Sequence, residues 1–306
     1  MEILLSSPRG FCAGVERAIK IVDQALELLP HPIYVNHEIV HNSHVIKNFE
    51  EQGVIFVEGV STVPEKSTLI FNAHGVSPAL VQEAKDKELR VIDATCPLVS
   101  KVHFEAIRYA KQGFKILLIG HEGHPEVVGV VGEAPDDIFI VESPEDVAKL
   151  PFSADDKLAY ITQTTLSVDA CQIVADALKE RYPNIQQPKK SDICYATTNR
   201  QHAIKSIANE ADISIVVGSQ NSSNSNRLRE VAENKGIKAY LVNCQNDMKK
   251  EWFTGSEKVG ITAGASTPED IVQSVISWLK ENYEISDERT VVTVEEDELF
   301  SLPKIG

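Results

Sequence analysis

The stretch VIDATCPLV, residues 91–99, places Cys96 where an apolar run ends, with a proline directly after it. A lone thiol therefore stands at the end of a strand, where the chain turns toward a helix. Two other segments share this order of strand, thiol and amphipathic helix. The three segments are EILLSSPRGFCAGVERAIKIV, RVIDATCPLVSKVHFEAIRYA and SDICYATTNRQHAIKSIA. Cys12, Cys96 and Cys194 thus occupy equivalent places in an internal repeat.

Three further strand types recur between these segments, each three times and in the same order. The first type reads IYVNHEIVHN, KILLIGHEGHPE and ISIVVGSQNSSN, the second GVIFVEG, IFIVESPEDV and AYLVNCQNDM, and the third STLIFNAHGVSPALV, KLAYITQTTLSVDAC and KVGITAGASTPEDIV. Eighty-four residues separate Cys12 from Cys96, and 83 separate His41 from His124, so the thiols and the polar loops advance in step.

This alternation of strands and helices predicts an α/β fold with mainly parallel sheets, built as three pseudo-threefold-related lobes. We expect the lobes at 13–96, 97–193 and 194–281, with the N-terminal strand 1–12 completing the third and 282–306 as a C-terminal tail. Ligands of parallel sheets bind beyond the carboxyl ends of the strands, where the polar loops lie. A pseudo-threefold arrangement would direct all these ends at one centre.

Composition and charge narrow the class of protein. The chain has 306 residues, 42% hydrophobic and 25% charged, as in an ordinary globular protein of two or three domains. Its net charge of −15 disfavours nucleic acid and anionic membrane as partners, so an anionic ligand has to be held locally. The start MEILLSSPRG has too short an apolar run for a signal peptide, and we expect a cytoplasmic protein.

The cysteines are five in number and form no CxxC pair, which argues against a disulfide framework. Cys171 and Cys244 fall outside the repeat, and we expect both to be inert core thiols. The three repeated thiols would converge and hold a metal centre with one open position. Zinc with a water ligand and a [4Fe-4S] cube with one free iron fit this donor set about equally.

The polar loops supply mainly neutral hydrogen-bonding groups beside this centre. They contain His41, His74, His124, Glu126, Thr164, Ser222, Asn224 and Ser266. The hydroxyl and amide run GSQNSSN stands before a helical pattern, whose first N–H groups favour an anion such as phosphate. The same serines and asparagines are also ordinary helix caps. Together with the three histidines, they favour a phosphate-bearing substrate beside the metal.

Several long segments resemble the IspH/LytB family of 4-hydroxy-3-methylbut-2-enyl diphosphate reductases. They are PRGFCAGVERAI, AHGVS, DATCPLVSKVH, IGHEGHPEVVGVVG, TQTTLSVD, DICYATTNRQ, GSQNSSNSNRL and ITAGASTPEDIV. The resemblance runs from Ile3 to about Trp278, whereas the acidic tail DERTVVTVEEDELFSLPKIG is unspecific. It implies an iron-sulfur enzyme whose three α/β lobes surround a central cluster.

The resemblance also implies a substrate, a cofactor and the roles of individual residues. It implies a [4Fe-4S] cluster on Cys12, Cys96 and Cys194 with one open iron. An allylic diphosphate would be reductively dehydroxylated to isopentenyl and dimethylallyl diphosphate, the last step of the non-mevalonate (MEP/DOXP) route, with Glu126 as proton donor. The diphosphate-binding positions match His41, His74, His124, Ser222, Ser223, Asn224 and Ser266, and Thr164 matches a position near the hydroxyl.

The electrons require an external source, because neither GxGxxG after a strand nor GxxxxGK[ST] occurs. By resemblance the donor is a flavodoxin or ferredoxin, and we expect a basic patch of Arg181, Lys189 and Lys190 to dock it. Two other classes would use the same thiols: a zinc hydrolase with Glu126 as base, and a redox sensor that loses its cluster.

Overall fold

A computed structural model describes residues 1–305, in which strands and helices alternate along the chain. The strands are β1 (Glu2–Ser7), β2 (Ile33–Asn36), β3 (Val54–Val57), β4 (Thr68–Phe71), β5 (Arg90–Asp93), β6 (Lys115–Ile119), β7 (Ile138–Val141), β8 (Leu158–Thr162), β9 (Ile213–Val217), β10 (Lys238–Val242), β11 (Lys258–Ala263) and β12 (Asp287–Val292). The helices are α1 (Ala13–Leu28), α2 (Ser43–Glu51), α3 (Pro78–Asp86), α4 (Pro97–Lys111), α5 (Pro125–Val131), α6 (Pro144–Lys149), α7 (Val168–Arg181), α8 (Tyr195–Ala208), α9 (Ser223–Asn234) and α10 (Glu269–Asn282).

Three sheets form from these strands, and every strand pair within them is parallel. Their strand orders are β10-β9-β11-β1-β12, β3-β2-β4-β5 and β7-β6-β8. The predicted α/β fold with parallel sheets is therefore confirmed. The division of the chain at residues 96, 193 and 281 stays a prediction. Within the described residues, no helix is long and apolar enough to span a bilayer.

By its internal contacts the chain divides into two compact units. The first consists of residues 1–15, 41–45 and 195–299, and the second of residues 16–40 and 46–194 together with the chain from Phe300. The first unit contains the five-stranded sheet, and the second contains the four-stranded and three-stranded sheets.

In the five-stranded sheet of the first unit, the N-terminal strand β1 occupies an interior position. β1 lies between β11 and β12, and a buried hydroxyl pair, Ser6 Oγ to Thr262 Oγ1 at 2.7 Å, joins it to β11. β9 is buried along its whole length, as expected for a strand covered on both faces. The tail supplies β12, a strand that the sequence analysis did not predict, because DERTVV begins with three charged residues and has only two apolar ones.

The strands of the three-stranded sheet are largely apolar because α4 and α7 pack on its two faces, whereas the four-stranded sheet has exposed residues such as Ile55 and Val91. The three-stranded sheet has β6 (KILLI) at its centre, with Ile116 through Leu118 fully buried. Helix α4 packs through a stripe that includes Val99, Val102 and Ala106, at the spacing of one helical face. The parallel pairing places the carboxyl ends of all strands of one sheet at the same edge.

The two cysteines outside the repeat differ in their surroundings. Cys171 lies in α7, 8% exposed within an apolar cluster, and burial raises the pKa of its thiol to about 12. It is a core thiol, as predicted. Cys244 is half-buried at the start of a short 3₁₀ turn, Gln245–Asp247, so the prediction of a core thiol is wrong there. The strand β10 has ended before it, and the loop keeps the side chain out of the apolar layer.

Truncating a side chain in the middle of β9 tests the core of the first unit. Ile215 is fully buried in the central apolar cluster. We expect Ile215→Ala to lower the free energy of unfolding by about 3 kcal/mol, through lost burial and the cavity left behind. Ile173→Ala, at a position that is 60% exposed, is the matched control and should change it by less than about 0.5 kcal/mol in urea titrations. Equal losses in both variants would contradict the assigned core.

Candidate active site

The three repeated thiols occupy the same local position in the structure. Cys12 directly precedes α1, Cys96 caps the N-terminus of α4, and Cys194 directly precedes α8. All three are half-buried, and none of them forms a disulfide. The N-terminus of a helix offers unpaired N–H groups and the positive end of the helix dipole, both of which stabilise an anionic thiolate.

The backbone N–H of each thiol residue donates to a carbonyl in a neighbouring loop. The bonds run from Cys12 to Ala265 (3.1 Å), from Cys96 to Ala73 (3.0 Å) and from Cys194 to Thr164 (3.1 Å). Each accepting residue lies two positions past the end of a strand, namely β11, β4 and β8. The internal repeat therefore extends to individual hydrogen bonds.

The side-chain atoms available for metal binding show whether these residues suit a metal cofactor. Among residues 1–305, no three His, Cys, Asp or Glu side chains form a preassembled metal-binding group. The chemistry of the repeated residues nevertheless fits a thiolate-bound metal, because each is a half-buried thiol outside any disulfide at a helix N-terminus. The residues named for the metal thus have the right chemical character.

Glu126 is the buried acid of the second unit. It is the second residue of α5, follows Pro125, and is only 2% exposed. Its backbone N–H donates to Nδ1 of His124, the N-cap residue, at 3.2 Å. The backbone N–H of Thr164 donates to one carboxylate oxygen at 2.6 Å, and its hydroxyl donates to the other at 2.8 Å.

Burial is the main cause of the raised pKa of Glu126. It raises the pKa of the carboxyl from 4.5 to about 7, although the two hydrogen bonds from Thr164 lower it; the nearby Asp192 charge raises it further. Glu126 can therefore carry a proton near neutral pH. Glu122, the other glutamate between β6 and the first turn of α5, is exposed by contrast, and its N–H donates to Glu142 Oε1 at 2.7 Å.

The histidines lie in loops directly after strands. The rings of His74 and His124 meet edge to face, with centroids 5.9 Å apart. The His74 N–H donates to Asn72 Oδ1 at 2.8 Å, which fixes the loop after β4. In the first unit, the carbonyl of His41 accepts from the Ser266 hydroxyl at 2.9 Å. The structure thus brings together His74 with His124, and His41 with Ser266.

The hydroxyl and amide run lies at the start of α9. Ser222 is the N-cap residue, and its hydroxyl accepts from the Ser225 N–H at 3.3 Å, so the capping role is present. Ser223 begins the helix and is half-buried. The buried Asn224 accepts from the Ala265 N–H at 2.9 Å, and the carbonyl of the same alanine holds Cys12. These side chains form one connected cluster at a helix N-terminus, a setting that favours an anion.

Two glycines allow strand ends to approach this cluster. A Cβ at Gly218 would lie 2.2 Å from Ser225 Oγ, and one at Gly264 would lie 2.0 Å from the same atom. Only a residue without a side chain fits between the ends of β9 and β11 and the first turn of α9. At Gly264 the need is close packing, rather than the flexible turn that a loop glycine alone suggests.

Sequence reasoning missed the side chains that shape these loops. Asn42 Oδ1 accepts from the N–H groups of His44 (3.0 Å) and Val45 (3.2 Å), Asn72 accepts from His74, and Thr197 Oγ1 accepts from the Asn224 amide at 3.3 Å. For Asn72 the detectable signal is an asparagine directly after a strand, two residues before the N–H that it binds; Asn42 shares the two-residue spacing but lies six residues past the end of β2.

The three residues of the predicted docking patch differ in exposure. Lys189 and Lys190 are exposed, and Arg181 is half-buried. The Arg181 guanidinium donates to the carbonyls of Val147 and Leu150, the latter at 2.9 Å, and so holds the end of α6. The role of the three residues in docking a carrier stays a prediction.

Comparisons with known proteins agree along nearly the whole chain. The model for the LytB protein family matches residues 3–280. The 4-hydroxy-3-methylbut-2-enyl diphosphate reductase of Rhodopirellula baltica is 53% identical over 304 residues, covering 99% of this chain and 95% of that protein. The enzyme of the same name from Haemophilus influenzae is 52% identical over 307 residues, covering 99% and 98%.

Solved structures show the same likeness. The E-1-hydroxy-2-methyl-but-2-enyl-4-diphosphate reductase from Plasmodium falciparum has a TM-score of 0.96 at 42% identity, covering 99% of this chain and 95% of that one. Another, described as (E)-4-hydroxy-3-methyl-but-2-enyl diphosphate reductase, the terminal enzyme of the non-mevalonate pathway, has a TM-score of 0.65 at 31% identity, covering 92% and 99%.

The raised pKa of Glu126 predicts a pH-dependent stability. Between about pH 4.5 and 7 the folded protein keeps a proton on Glu126 that the unfolded chain has lost, so the free energy of unfolding falls as pH rises through this window. Glu126→Gln should remove this dependence, so that the variant gains about 3 kcal/mol relative to wild type between pH 4 and 8. Urea unfolding of the cluster-free proteins measures the difference, with the exposed Glu122→Gln as control. Parallel pH profiles for wild type and Glu126→Gln would contradict the raised pKa.

Proposed function

This chain belongs to the LytB protein family, and we propose that it reductively dehydroxylates (E)-4-hydroxy-3-methylbut-2-enyl diphosphate to isopentenyl and dimethylallyl diphosphate. This is the last step of the non-mevalonate route to isoprenoid precursors. The observation that carries the proposal is the position of Thr164. Its N–H and hydroxyl hold the Glu126 carboxylate, while its carbonyl accepts the Cys194 N–H. A single residue, Thr164, thus links the buried acid Glu126 by hydrogen bonds to Cys194, a proposed ligand of the metal.

Membership of the family implies an iron-sulfur cofactor, and the proposal specifies its ligands. Cys12, Cys96 and Cys194 would hold a [4Fe-4S] cluster, with one iron left open. The identical local setting of the three thiols supports this assignment, since each is anchored by the same backbone bond at a helix N-terminus. When bound, such a cluster would relay the two electrons from an external carrier and would offer a Lewis-acidic iron for the substrate hydroxyl.

Glu126 is the proposed acid for the departing hydroxyl. The reaction consumes two electrons and two protons per substrate, and the hydroxyl leaves as water. A carboxyl with a pKa of about 7 is partly protonated at neutral pH and can deliver one of these protons. Thr164 fixes the carboxylate on both oxygens and thereby limits the directions in which it can donate.

Neutral donors would bind the diphosphate. We assign this role to the three loop histidines and to the hydroxyl and amide cluster, which comprise His41, His74, His124, Ser222, Ser223, Asn224 and Ser266. A net charge of −15 opposes anion binding at long range, so short-range hydrogen bonds and the N-terminus of α9 have to provide the affinity.

The electrons would come from an external carrier, a flavodoxin or ferredoxin. Lys189 and Lys190, both exposed and close to Cys194 in the sequence, together with the half-buried Arg181, are the candidates for docking an acidic carrier. The proposed compartment is the cytoplasm, in keeping with five cysteines that form no disulfide.

Serine substitutions test the three proposed ligands. Cys12→Ser, Cys96→Ser and Cys194→Ser should each remove most of the visible iron-sulfur absorption of anaerobically purified protein, because two thiolates hold a cube poorly. Cys171→Ser is the matched control, since this thiol is buried in the core. Iron and sulfide analysis accompanies the spectra. A bleached Cys171→Ser protein beside a coloured Cys12→Ser protein would disprove the assignment.

Glu126→Gln separates the chemical step from binding. Glutamine keeps the size and hydrogen-bonding capacity of the side chain but delivers no proton. Turnover with a chemical reductant should fall by about 10²-fold or more, while cluster content and diphosphate affinity stay near wild type. Turnover by wild type also tests the proposed reaction itself. If Glu122→Gln lost activity and Glu126→Gln retained it, the acid would be the other residue.

A further inference from the structure

Each helix that follows a repeated thiol carries a long cationic side chain in its second turn. Arg17 comes five residues after Cys12 and Lys101 five residues after Cys96, both in the same register. Arg200 comes six residues after Cys194. On a helix surface such residues usually face solvent, yet here each one contacts the chain directly ahead of another thiol.

Arg200 holds the loop ahead of Cys12. It is fully buried, and its Nε and Nη2 donate to the Gly10 carbonyl at 3.1 and 2.8 Å. Nη2 also donates to the Phe11 carbonyl at 3.3 Å. The remaining Nη1 donates to the Glu296 carboxylate at 3.0 and 3.2 Å. Two carbonyls ahead of the thiol are thereby fixed by one side chain.

Lys101 holds the segment ahead of Cys194. Its Nζ donates to the carbonyls of Lys190 and Ser191 at 3.2 and 3.1 Å, and to Asp192 Oδ1 at 3.0 Å. The other oxygen of this fully buried carboxylate accepts from the Thr162 N–H at 3.1 Å. Asp192 thus fastens the segment to the end of β8, and Lys101 fastens it to α4.

Arg17 holds the residue ahead of Cys96. Its Nη1 donates to the Thr95 carbonyl at 3.1 Å, and its Nε donates to the Ser301 carbonyl at 2.9 Å. The Thr95 N–H in turn donates to Asp93 Oδ1 at 2.9 Å, so both polar groups of this backbone unit are bound. Thr95 is consequently fixed from two sides.

The three contacts follow the order of the thiols along the chain. The cation after the first thiol holds the loop of the second, the cation after the second holds the loop of the third, and the cation after the third holds the loop of the first. We propose that Arg17, Lys101 and Arg200 are positioning residues that keep the three thiol loops in their cluster-binding conformation. This inference rests on the proposed role of the thiols as cluster ligands.

The C-terminal tail takes part in the same arrangement. Glu296 accepts from Arg200 and from the Asn199 amide at 3.0 Å, and the Ser301 carbonyl accepts from Arg17. Two of the three cations are therefore oriented by tail residues. The tail, which has no recognisable motif of its own, belongs to the support of the thiol loops.

A cationic side chain suits this task for a physical reason. The loop carbonyls lie outside any strand pairing and need donors, and arginine and lysine offer several donors and no acceptor. Bonds from charged donors are stronger than neutral ones, so they offset more of the entropy cost of ordering a loop. Loss of one such bond corresponds to about a tenfold change in local opening.

Hydrogen exchange of the cluster-free, full-length protein tests the assignment of each cation to one loop. Arg17→Gln should speed exchange of the Cys96 amide about tenfold, and Lys101→Met should do so for the Cys194 amide. Glu296→Ala and Arg200→Lys should act on the Cys12 amide; the first keeps the buried arginine in case the second fails to fold. Each variant should leave the other two thiol amides near wild type.

Matched controls come from cations that make the same bonds elsewhere. Arg181→Gln also removes donors to two carbonyls, and Lys115→Met removes a lysine that binds the Asp136 carbonyl and the Asp137 carboxylate. Both should leave all three thiol amides unchanged. Unchanged exchange in the test variants, or equal effects in tests and controls, would overturn the proposal.

Cluster retention provides the second measurement. After anaerobic reconstitution, visible absorption should decay about tenfold faster under a chelator in the test variants than in wild type or the controls, and Lys101→Arg should restore most of the retention. Retention equal to wild type in all test variants would overturn the positioning role. A wild-type protein that takes up no cluster would contradict the proposed function instead, while the exchange pattern would still decide the positioning of the loops.

Discussion

One backbone hydrogen bond, repeated three times, fixes where the proposed thiol ligands lie. Each thiol residue donates its N–H to a carbonyl two positions past the end of a parallel strand, and a helix begins at the next residue. The end of the strand fixes the position of the accepting carbonyl, and the helix fixes the direction in which the chain leaves the thiol residue. Because parallel strands end at a common edge of their sheet, the polar loops beside each thiol also gather there. The histidines and hydroxyls of the candidate site depend on this geometry.

Within that frame, the chemistry of the site comes from burial rather than from an excess of charge. At Glu126, two hydrogen bonds that favour the carboxylate are outweighed by desolvation, and the pKa rises to about 7. The groups proposed to bind the diphosphate are likewise neutral hydrogen-bonding side chains. A strongly acidic protein can therefore bind an anion through short-range hydrogen bonds, and burial can keep one of its carboxyls protonated.

The sequence predicted what depends on periodicity and failed where a single side chain decides. Continuous apolar strands and repeated thiols revealed the parallel sheets, because both signals recur three times. Strand β12 escaped notice because its sequence is largely charged and pairs only at the edge of a sheet. The sequence did not single out Arg200 and Lys101, because the carbonyls that they bind lie far from them along the chain. The sequence predicted for Ser222 both a capping role and an anion-binding role; the capping bond is present, and the anion site remains a proposal.

The backbone nature of the thiol anchors has a consequence for how such a chain can change. Any amino acid supplies a carbonyl, so Ala73 and Ala265 could be exchanged for other small residues without loss of the bond that they accept. An insertion or deletion of one residue between the strand end and that carbonyl would instead move the anchor away from its thiol. The interval from Cys96 to Cys194 is longer than that from Cys12 to Cys96, yet the carbonyls that anchor Cys96 and Cys194 both lie two residues past the end of a strand. The repeats therefore differ in length, while the offset between the strand end and the anchoring carbonyl is the same.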